Sequence, residues 1–489
     1  MYESEFLTST EHSKDAYRRL IARAAQIVCE SLPNQPYCGN PPAALAEAVG
    51  DDFLPQHPIS PEHITETLGT IVAKSVAVGN PYTAAHLHCP PLLAALAAEI
   101  VISALNQSMD SFDQAPIASV VEQKMIRWLC TEARLPAAAA GTFTTGGSQS
   151  NYMGLLLARD AFLQRHWNWS AQKSGLPPEA RRMRILCSDA AHFTVEKSAS
   201  QLGLGTDAVV RIDVDGYFRM KSSSLRSNLE ALKTQGLLPM AIVATAGTTD
   251  FGSIDPLPEI AALAREANVW LHVDAAYGGA LLFSALHRDR LAGIENAHSA
   301  AIDFHKLFWQ PIPCSAFLVR DAVHFDAIKL YADYLNPEFH EHEGIPNLVT
   351  TSLLTSRRFD ALKLWISFQA LGREKLAAMI DRTVALANHA AAVIGAADDL
   401  QLACEPQLST VVFRCISSGL ESDANRINTE IPRKLFDRGV AVIGRTRVRG
   451  RCYLKLTCMN PATTDADMER LIELIRSQGR ECADQKAGP

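Results

Sequence analysis

The sequence predicts an α/β fold, with a mostly parallel central sheet covered by helices on both faces, a helical segment before it and a small α+β domain after it. Three observations carry this reading. From about residue 93, short apolar runs rich in β-branched residues alternate with helical patterns. One complete unit runs from Met240 to Val273: 240-MAIVATAG-247, then 256-PLPEIAALAREA-267, then 269-VWLHVDA-275. Strand, crossover helix and strand require parallel pairing, and parallel sheets are buried on both faces. The tail instead mixes short strands with amphipathic helices, the pattern of a smaller α+β unit.

The elements follow in order. Residues 14–32 have helical periodicity, and 33-LPNQPYCGNPP-43 ends it with prolines and a glycine. Residues 61–76 are helical again, and 80-NPYTAAHLHCPPLL-93 is rich in turn residues. Met153, Leu156, Leu157 and Ala161 recur at helical spacing just after a glycine pair. Asp255 is expected to cap a helix that has Pro256 at its first position. A further helix is expected through 357-RRFDALKLWISFQALG-372. In the tail, 409-STVVFRC-415 and 452-CYLKLTC-458 read as strands and 465-DADMERLIELIRSQ-478 as a helix. The expected division is residues 1–92, 93–375 and 376–489.

Composition narrows the function. The chain has 489 residues, 47% hydrophobic and 20% charged, enough for more than one domain and a large core. A formal net charge of -7 argues against nucleic acid or an anionic membrane as partner. No apolar run reaches the roughly 18 residues of a membrane span. The opening MYESEFLTSTEHSKDAYRR has no apolar core behind a basic start, so a cytoplasmic protein is expected. Eleven scattered cysteines without CxxC pairs read as reduced thiols, and no metal site is expected.

Four segments carry chemistry, each where a strand is expected to end, the usual place for ligands in open α/β sheets. In 141-GTFTTGGSQSNYMGLLLARD-160, Gly146 and Gly147 permit close approach of a ligand to a helix start, with Ser148 and Gln149 as donors for an anion. In 272-HVDAAYGG-279, Asp274 ends a buried strand and needs a cation, and Ala275 and Ala276 leave room for a flat ring. In 187-CSDAAHFTVEKSA-199, His192 begins a helix and offers a ring face. In 300-AAIDFHKLFWQPIPCSAFLV-319, Lys306 lies in a largely apolar run, where a lysine loses its proton readily and becomes a nucleophilic amine able to bond a carbonyl carbon. His305 adds a ring donor. Each feature alone also suits an ordinary role: a capped turn, a strand-end carboxylate on an arginine, a surface histidine, a snorkelling lysine. Together they describe one ligand with a phosphate, a flat ring bearing a basic nitrogen, and an aldehyde. That ligand is pyridoxal 5'-phosphate.

With these residues in place, the chain resembles the pyridoxal-phosphate-dependent group II amino-acid decarboxylases over roughly residues 60–480, through D-F-H-K at 303–306, H-V-D-A-A-Y-G-G at 272–279 and A-T-A-G-T-T at 244–249. The resemblance implies a type I aminotransferase-like fold and a homodimer with its active site at the subunit interface. It implies that Lys306 bonds the cofactor aldehyde and that Asp274 pairs with the ring nitrogen. Ala276 and His192 would take the two ring faces. Gly146, Gly147, Ser148 and His305 would surround the phosphate, with Thr245 close to the ring. Asp303 stands where the family often has asparagine. The segment 331-YADYLNPEFHEHEGIPN-347 resembles the family's mobile loop, and Tyr334 falls where a tyrosine returns a proton to carbon after carbon dioxide leaves.

Within the family, 81-PYTAAHLHCPP-91, 106-NQSMDSFDQAP-116, 303-DFHKLFWQPIPCSAFLVRD-321 and 454-LKLTCMNP-461 resemble bacterial L-2,4-diaminobutyrate decarboxylases. They are equally similar to the lysine and citryl-amino-acid decarboxylases of siderophore pathways. This implies His86 and His88 at the substrate end of the site. The expected reaction is L-2,4-diaminobutyrate to 1,3-diaminopropane and carbon dioxide. Lysine, ornithine or citryl-serine as substrate, or an aldehyde synthase, are the alternatives.

Overall fold

A computed structural model describes residues 5–51, 53–416 and 421–484. The chain forms two compact units: one takes residues up to His86, His389–Ala403 and Val412 onward, the other Leu87–Asn388 with Cys404–Val411.

In the first unit, helix Glu11–Ser31 starts at Thr10, whose hydroxyl accepts from Ser13 N. Helix Pro61–Lys74 starts at Ser60, which caps His63 N, with proline at the first helical position where no amide donor is needed. A five-stranded sheet is ordered 83–84, 442–448, 451–457, 410–415, 400–402. Helix Glu421–Asp437 lies on strands Val442–Val448 and Arg451–Thr457, and helix Asp465–Asp484 packs against that helix.

The second unit is built on a seven-stranded sheet ordered 140–144, 315–319, 299–303, 270–274, 238–245, 183–188, 209–212. Helices cover both of its sides. The expected parallel pair is present: Ala241 lies opposite Trp270 and Thr245 opposite Asp274. Strand Ser315–Val319 runs antiparallel to both of its neighbours. It therefore enters the sheet at the edge where strands Ala140–Thr144 and Ser299–Asp303 leave it, with Ser315 opposite both Thr144 and Asp303.

Helix Gly147–Trp167 crosses the sheet and buries Met153, Leu155, Leu156, Leu157 and Phe162. Each such leucine contributes about 1.5–3 kcal/mol over an exposed one. At Gly154 this helix meets the ring of His272 so closely that a Cβ would lie 2.4 Å from Nδ1. Only glycine leaves space for that ring.

Strand Ala140–Thr144 is the sheet's outer strand, and its free rim is closed by an ion pair. Glu122 accepts from Phe143 N at 3.2 Å, and Arg357 donates to Phe143 O at 3.3 Å. Arg357 grips both carboxylate oxygens of Glu122, at 2.8 and 3.1 Å.

Two expected details differ. Asp255 does not cap the next helix, which begins at Leu257. It is fully buried, and its carboxylate accepts instead from Met220 N at 2.7 Å and Thr245 N at 2.8 Å. The helix expected to end near 372 breaks at Gly372, which adopts φ 67°, and then resumes to Gly395. Among the described residues, no helix is long and apolar enough to cross a membrane.

Candidate functional site

Strand register decides what meets at the sheet's carboxyl edge. Thr245 lies opposite Asp274, Asp274 opposite Ala301, and Asp303 two residues further on opposite Ser315. At this edge lies a cavity of about 320 Å³. Gly146, Gly147, Ser148, His192, Thr245, Asp274, Ala276, His305 and Lys306 all line it, although they come from five separate stretches of chain. A larger hollow of about 630 Å³ sits beside Met240 and Trp270, at the amino ends of their strands, and holds none of these residues, so size alone does not select the site.

Lys306 is not left as an unpaired amine. Its Nζ lies 2.9 Å from Asp303 Oδ2, and Ser315 donates to Asp303 Oδ1 at 2.7 Å. Asp303 is thus an acceptor fixed from two sides, and it sets where the amine sits. His305 Nδ1 lies 3.0 Å from the Cys314 carbonyl oxygen and 3.4 Å from the Cys314 amide nitrogen. Nε2 faces Asp303 Oδ2 at 3.6 Å. Burial lowers the His305 pKa, partly opposed by Asp303.

Asp274 is 6% exposed and accepts from Asn151 Nδ2 at 2.8 Å and Ala276 N at 3.1 Å. Among the described residues no lysine, arginine or histidine forms an ion pair with it. His192, which lines the cavity, places Nδ1 3.0 Å from the Thr194 hydroxyl. Burial lowers its pKa, and Asp274 pulls the other way. Tyr334 and His88 lie outside the cavity lining. Tyr334 is 89% exposed, and His88 is exposed as well. His86 belongs to the other compact unit.

The donors and acceptors fit pyridoxal phosphate. Gly147, which lines the cavity, begins a 21-residue helix, an end suited to an anion, and a Cβ there would come within 3.0 Å of Ala276 Cβ and 3.1 Å of Asp303 Oδ2. Two buried lining atoms, Gln149 Nε2 and Thr245 Oγ1, have no hydrogen-bond partner, a costly state that a polar ligand would relieve. Asp274 offers an acceptor for a protonated ring nitrogen, and Lys306 an amine for an aldehyde.

Sequence reading missed Asn151 and Ser315, which hold the two aspartates. Asn151 sits four residues after Gly147, within the first turns of the helix, where asparagine is intrinsically unfavourable. That local conflict was the available signal. Ser315 gave none.

Comparison with known proteins identifies the family. Residues 42–416 match the pyridoxal-dependent decarboxylase conserved domain. The chain is similar to the L-2,4-diaminobutyrate decarboxylase of Rhizobium meliloti, 40% identical over 493 aligned residues covering 100% of this chain and 97% of that protein. It is similar to the enzyme of the same name from Acinetobacter baumannii, at 37% identity, covering 96% and 94%. Among solved structures, the glutamate decarboxylase domain of a diaminobutyrate-pyruvate transaminase and L-2,4-diaminobutyrate decarboxylase from Vibrio parahaemolyticus superposes with TM-score 0.90 at 40% identity, covering 98% of this chain and 99% of that one.

Proposed function

The chain belongs to the pyridoxal-dependent decarboxylase family, and on that premise we propose that it converts L-2,4-diaminobutyrate to 1,3-diaminopropane and carbon dioxide. It is a pyridoxal-phosphate-dependent amino-acid decarboxylase. The cofactor, when bound, supplies the electron sink for the pair left behind as the carboxylate departs. The protein's own groups then have these tasks. Lys306, set by Asp303, would hold the cofactor's aldehyde carbon through its amine. Asp274 keeps the proton on the ring nitrogen. Ala276 and His192 would flank the ring, and Thr245 would offer it a hydroxyl. Gly146, Gly147, Ser148 and His305 hold the phosphate. Tyr334 would return the proton to the substrate carbon and His88 would meet the substrate side chain, although both lie outside the cavity lining of a single subunit.

The observation that carries the reading is the joint presence, in one cavity, of a lysine amine fixed by Asp303 and a buried Asp274 that forms no ion pair among the described residues. The assembly we propose is a homodimer with the site at the subunit interface. Its support is the apolar surface of helix Leu93–Leu105, where Leu93 is 83% exposed and Leu105 57%. A cytoplasmic location accords with eleven free cysteines.

The test is carbon dioxide release with added pyridoxal phosphate across diaminobutyrate, ornithine, lysine, glutamate, aspartate, aromatic amino acids and citryl-serine. Diaminobutyrate is expected to dominate, with 1,3-diaminopropane as product. A stronger response to any other member overturns the substrate. Lys306→Ala should remove the visible absorbance of lysine-linked cofactor, and a variant that keeps that absorbance overturns the role of Lys306.

A further inference from the structure

Behind Asp274 a line of buried polar side chains runs away from the cavity into the core. Strand Trp270–Asp274 alternates faces, so Trp270, His272 and Asp274 share one, and His272 lies opposite Ser299 on the neighbouring strand. Asn151 reaches the same face from helix Gly147–Trp167. The contacts are Trp270 Nε1 to Ser299 Oγ at 3.0 Å, Ser299 Oγ to His272 Nδ1 at 2.8 Å, His272 Nε2 to Asn151 Oδ1 at 2.9 Å, and Asn151 Nδ2 to Asp274 Oδ2 at 2.8 Å. All five side chains are at least nine-tenths buried.

One acceptor-only group at the end decides every proton in this chain. The Asp274 carboxylate can only accept, so Asn151 must present its NH₂ there and its carbonyl to His272. His272 must then carry its hydrogen on Nε2, which leaves Nδ1 to accept from Ser299. Ser299 in turn accepts from Trp270, whose indole only donates. The direction is consistent from end to end with a neutral His272. Burial alone favours that form, pushing its pKa down to about 4. Asn151 Nδ2 has a second partner, Thr194 Oγ1 at 3.1 Å, which leaves the Thr194 hydroxyl hydrogen for His192 Nδ1 at 3.0 Å. A single amide thus touches Asp274 and, through one hydroxyl, His192.

Resting on the cofactor reading above, we propose that Asn151, locked by His272, is a positioning residue that keeps the Asp274 carboxylate aimed into the cavity and couples it to His192 through Thr194. The glycine at 154 belongs to the same device. Its missing side chain is what lets the His272 ring reach Asn151. Loss of the Asn151 donor frees the Asp274 carboxylate to turn, so the ring nitrogen would be less firmly held although Asp274 is still present. Asn151 lines the cavity itself, whereas His272 does not, so the His272 variants separate positioning from direct contact.

The experiment compares holoenzymes of Asn151→Ala, His272→Gln, His272→Leu and Asp274→Asn by cofactor absorbance spectrum, cofactor dissociation constant, kcat, KM and Tm. Glutamine and leucine both fill the histidine site, but only glutamine can donate to Asn151 Oδ1. Asn151→Ala and His272→Leu are expected to lower kcat about 10- to 100-fold, as outer partners of charged ligands do in metal sites. KM should stay within about twofold, because an interaction realised in the transition state has been lost. Their spectra should move towards that of Asp274→Asn, and their cofactor should bind more weakly. His272→Gln should keep the wild-type spectrum and most of kcat. If leucine and glutamine lower Tm alike and both leave spectrum and kcat intact, the relay is only structural and the proposal fails. If Asn151→Ala is silent while Asp274→Asn is not, the proposal fails alone. If Asp274→Asn is silent as well, the cofactor reading fails with it.

Discussion

Glu122→Ala should destabilise the larger unit far more than an average substitution. The alanine removes the carboxylate that holds Arg357, whose side chain is 5% exposed, and it orphans the Phe143 amide. Breaking a buried pair by deleting one partner costs about 3–5 kcal/mol, because a charge stays behind in a place that water cannot reach. That unit has about 310 residues, and unfolding entropy of about 2.1 cal/mol/K per residue then gives about 0.65 kcal/mol/K. The expected fall in its melting temperature is therefore about 5–8 °C, read by calorimetry at one fixed scan rate. Replacing both partners, Glu122→Leu with Arg357→Leu, removes the stranded charge and should recover about half of the loss, leaving the cost of the two unpaired Phe143 groups. A fall below about 1.5 °C for Glu122→Ala, equivalent to about 1 kcal/mol by the same entropy, refutes the reasoning.

Other expectations are shorter to state. Gly147→Ala puts a methyl 3.0 Å from Ala276 Cβ and 3.1 Å from Asp303 Oδ2, an overpacking of about 1–3 kcal/mol where the cofactor must lie, so pyridoxal phosphate should bind about 10- to 100-fold more weakly; titration of the apoprotein with unchanged affinity counts against the placement. Tyr334→Phe should divert turnover to an oxygen-consuming reaction that yields aldehyde and ammonia, and an amine-only product with no oxygen uptake sinks the role of that tyrosine. Burial lowers the His272 pKa to about 4 from 6.5, so the unfolded chain takes up this proton first. Stability from His272 is intact above about pH 6.5 and falls towards pH 4, by about 3 kcal/mol. His272→Gln should flatten that part of the curve of Tm against pH, and an unchanged slope contradicts it.

The parallel core was legible because its signals are local. The β-branched run at 240–247, the prolines at 256 and 258 and the run at 269–275 each favour one state, and all agree. The cavity lining was legible for a related reason: glycine pairs, a strand-end aspartate and a lysine in an apolar run are conspicuous one at a time. Side chains whose partner is remote in sequence were not. Asp255 has the type and position of a helix cap, yet Met220 and Thr245 claim it, and nothing near residue 255 announces that. Asn151 and Asp274 are 123 residues apart, and Glu122 and Arg357 are 235 apart. The reversed direction of strand Ser315–Val319 escaped for the same reason, since an apolar run reads alike both ways.

That reversal has a consequence for how this catalyst could diverge. The stretch from Phe304 to Cys314 leaves the sheet at Asp303 and returns at Ser315, its direct neighbour across the ladder. Lys306 is thus tethered within three residues of a rung. Further along, Lys363 donates to the Pro311 and Pro313 carbonyls at 3.1 and 2.6 Å, gripping main chain on either side of Ile312. The Ile312 side chain is 61% exposed and looks onto the cavity. Backbone clamped and side chain open make position 312 an interchangeable bit in a fixed chuck. New side chains there can reshape the mouth of the cavity while the Lys306 amine keeps its address.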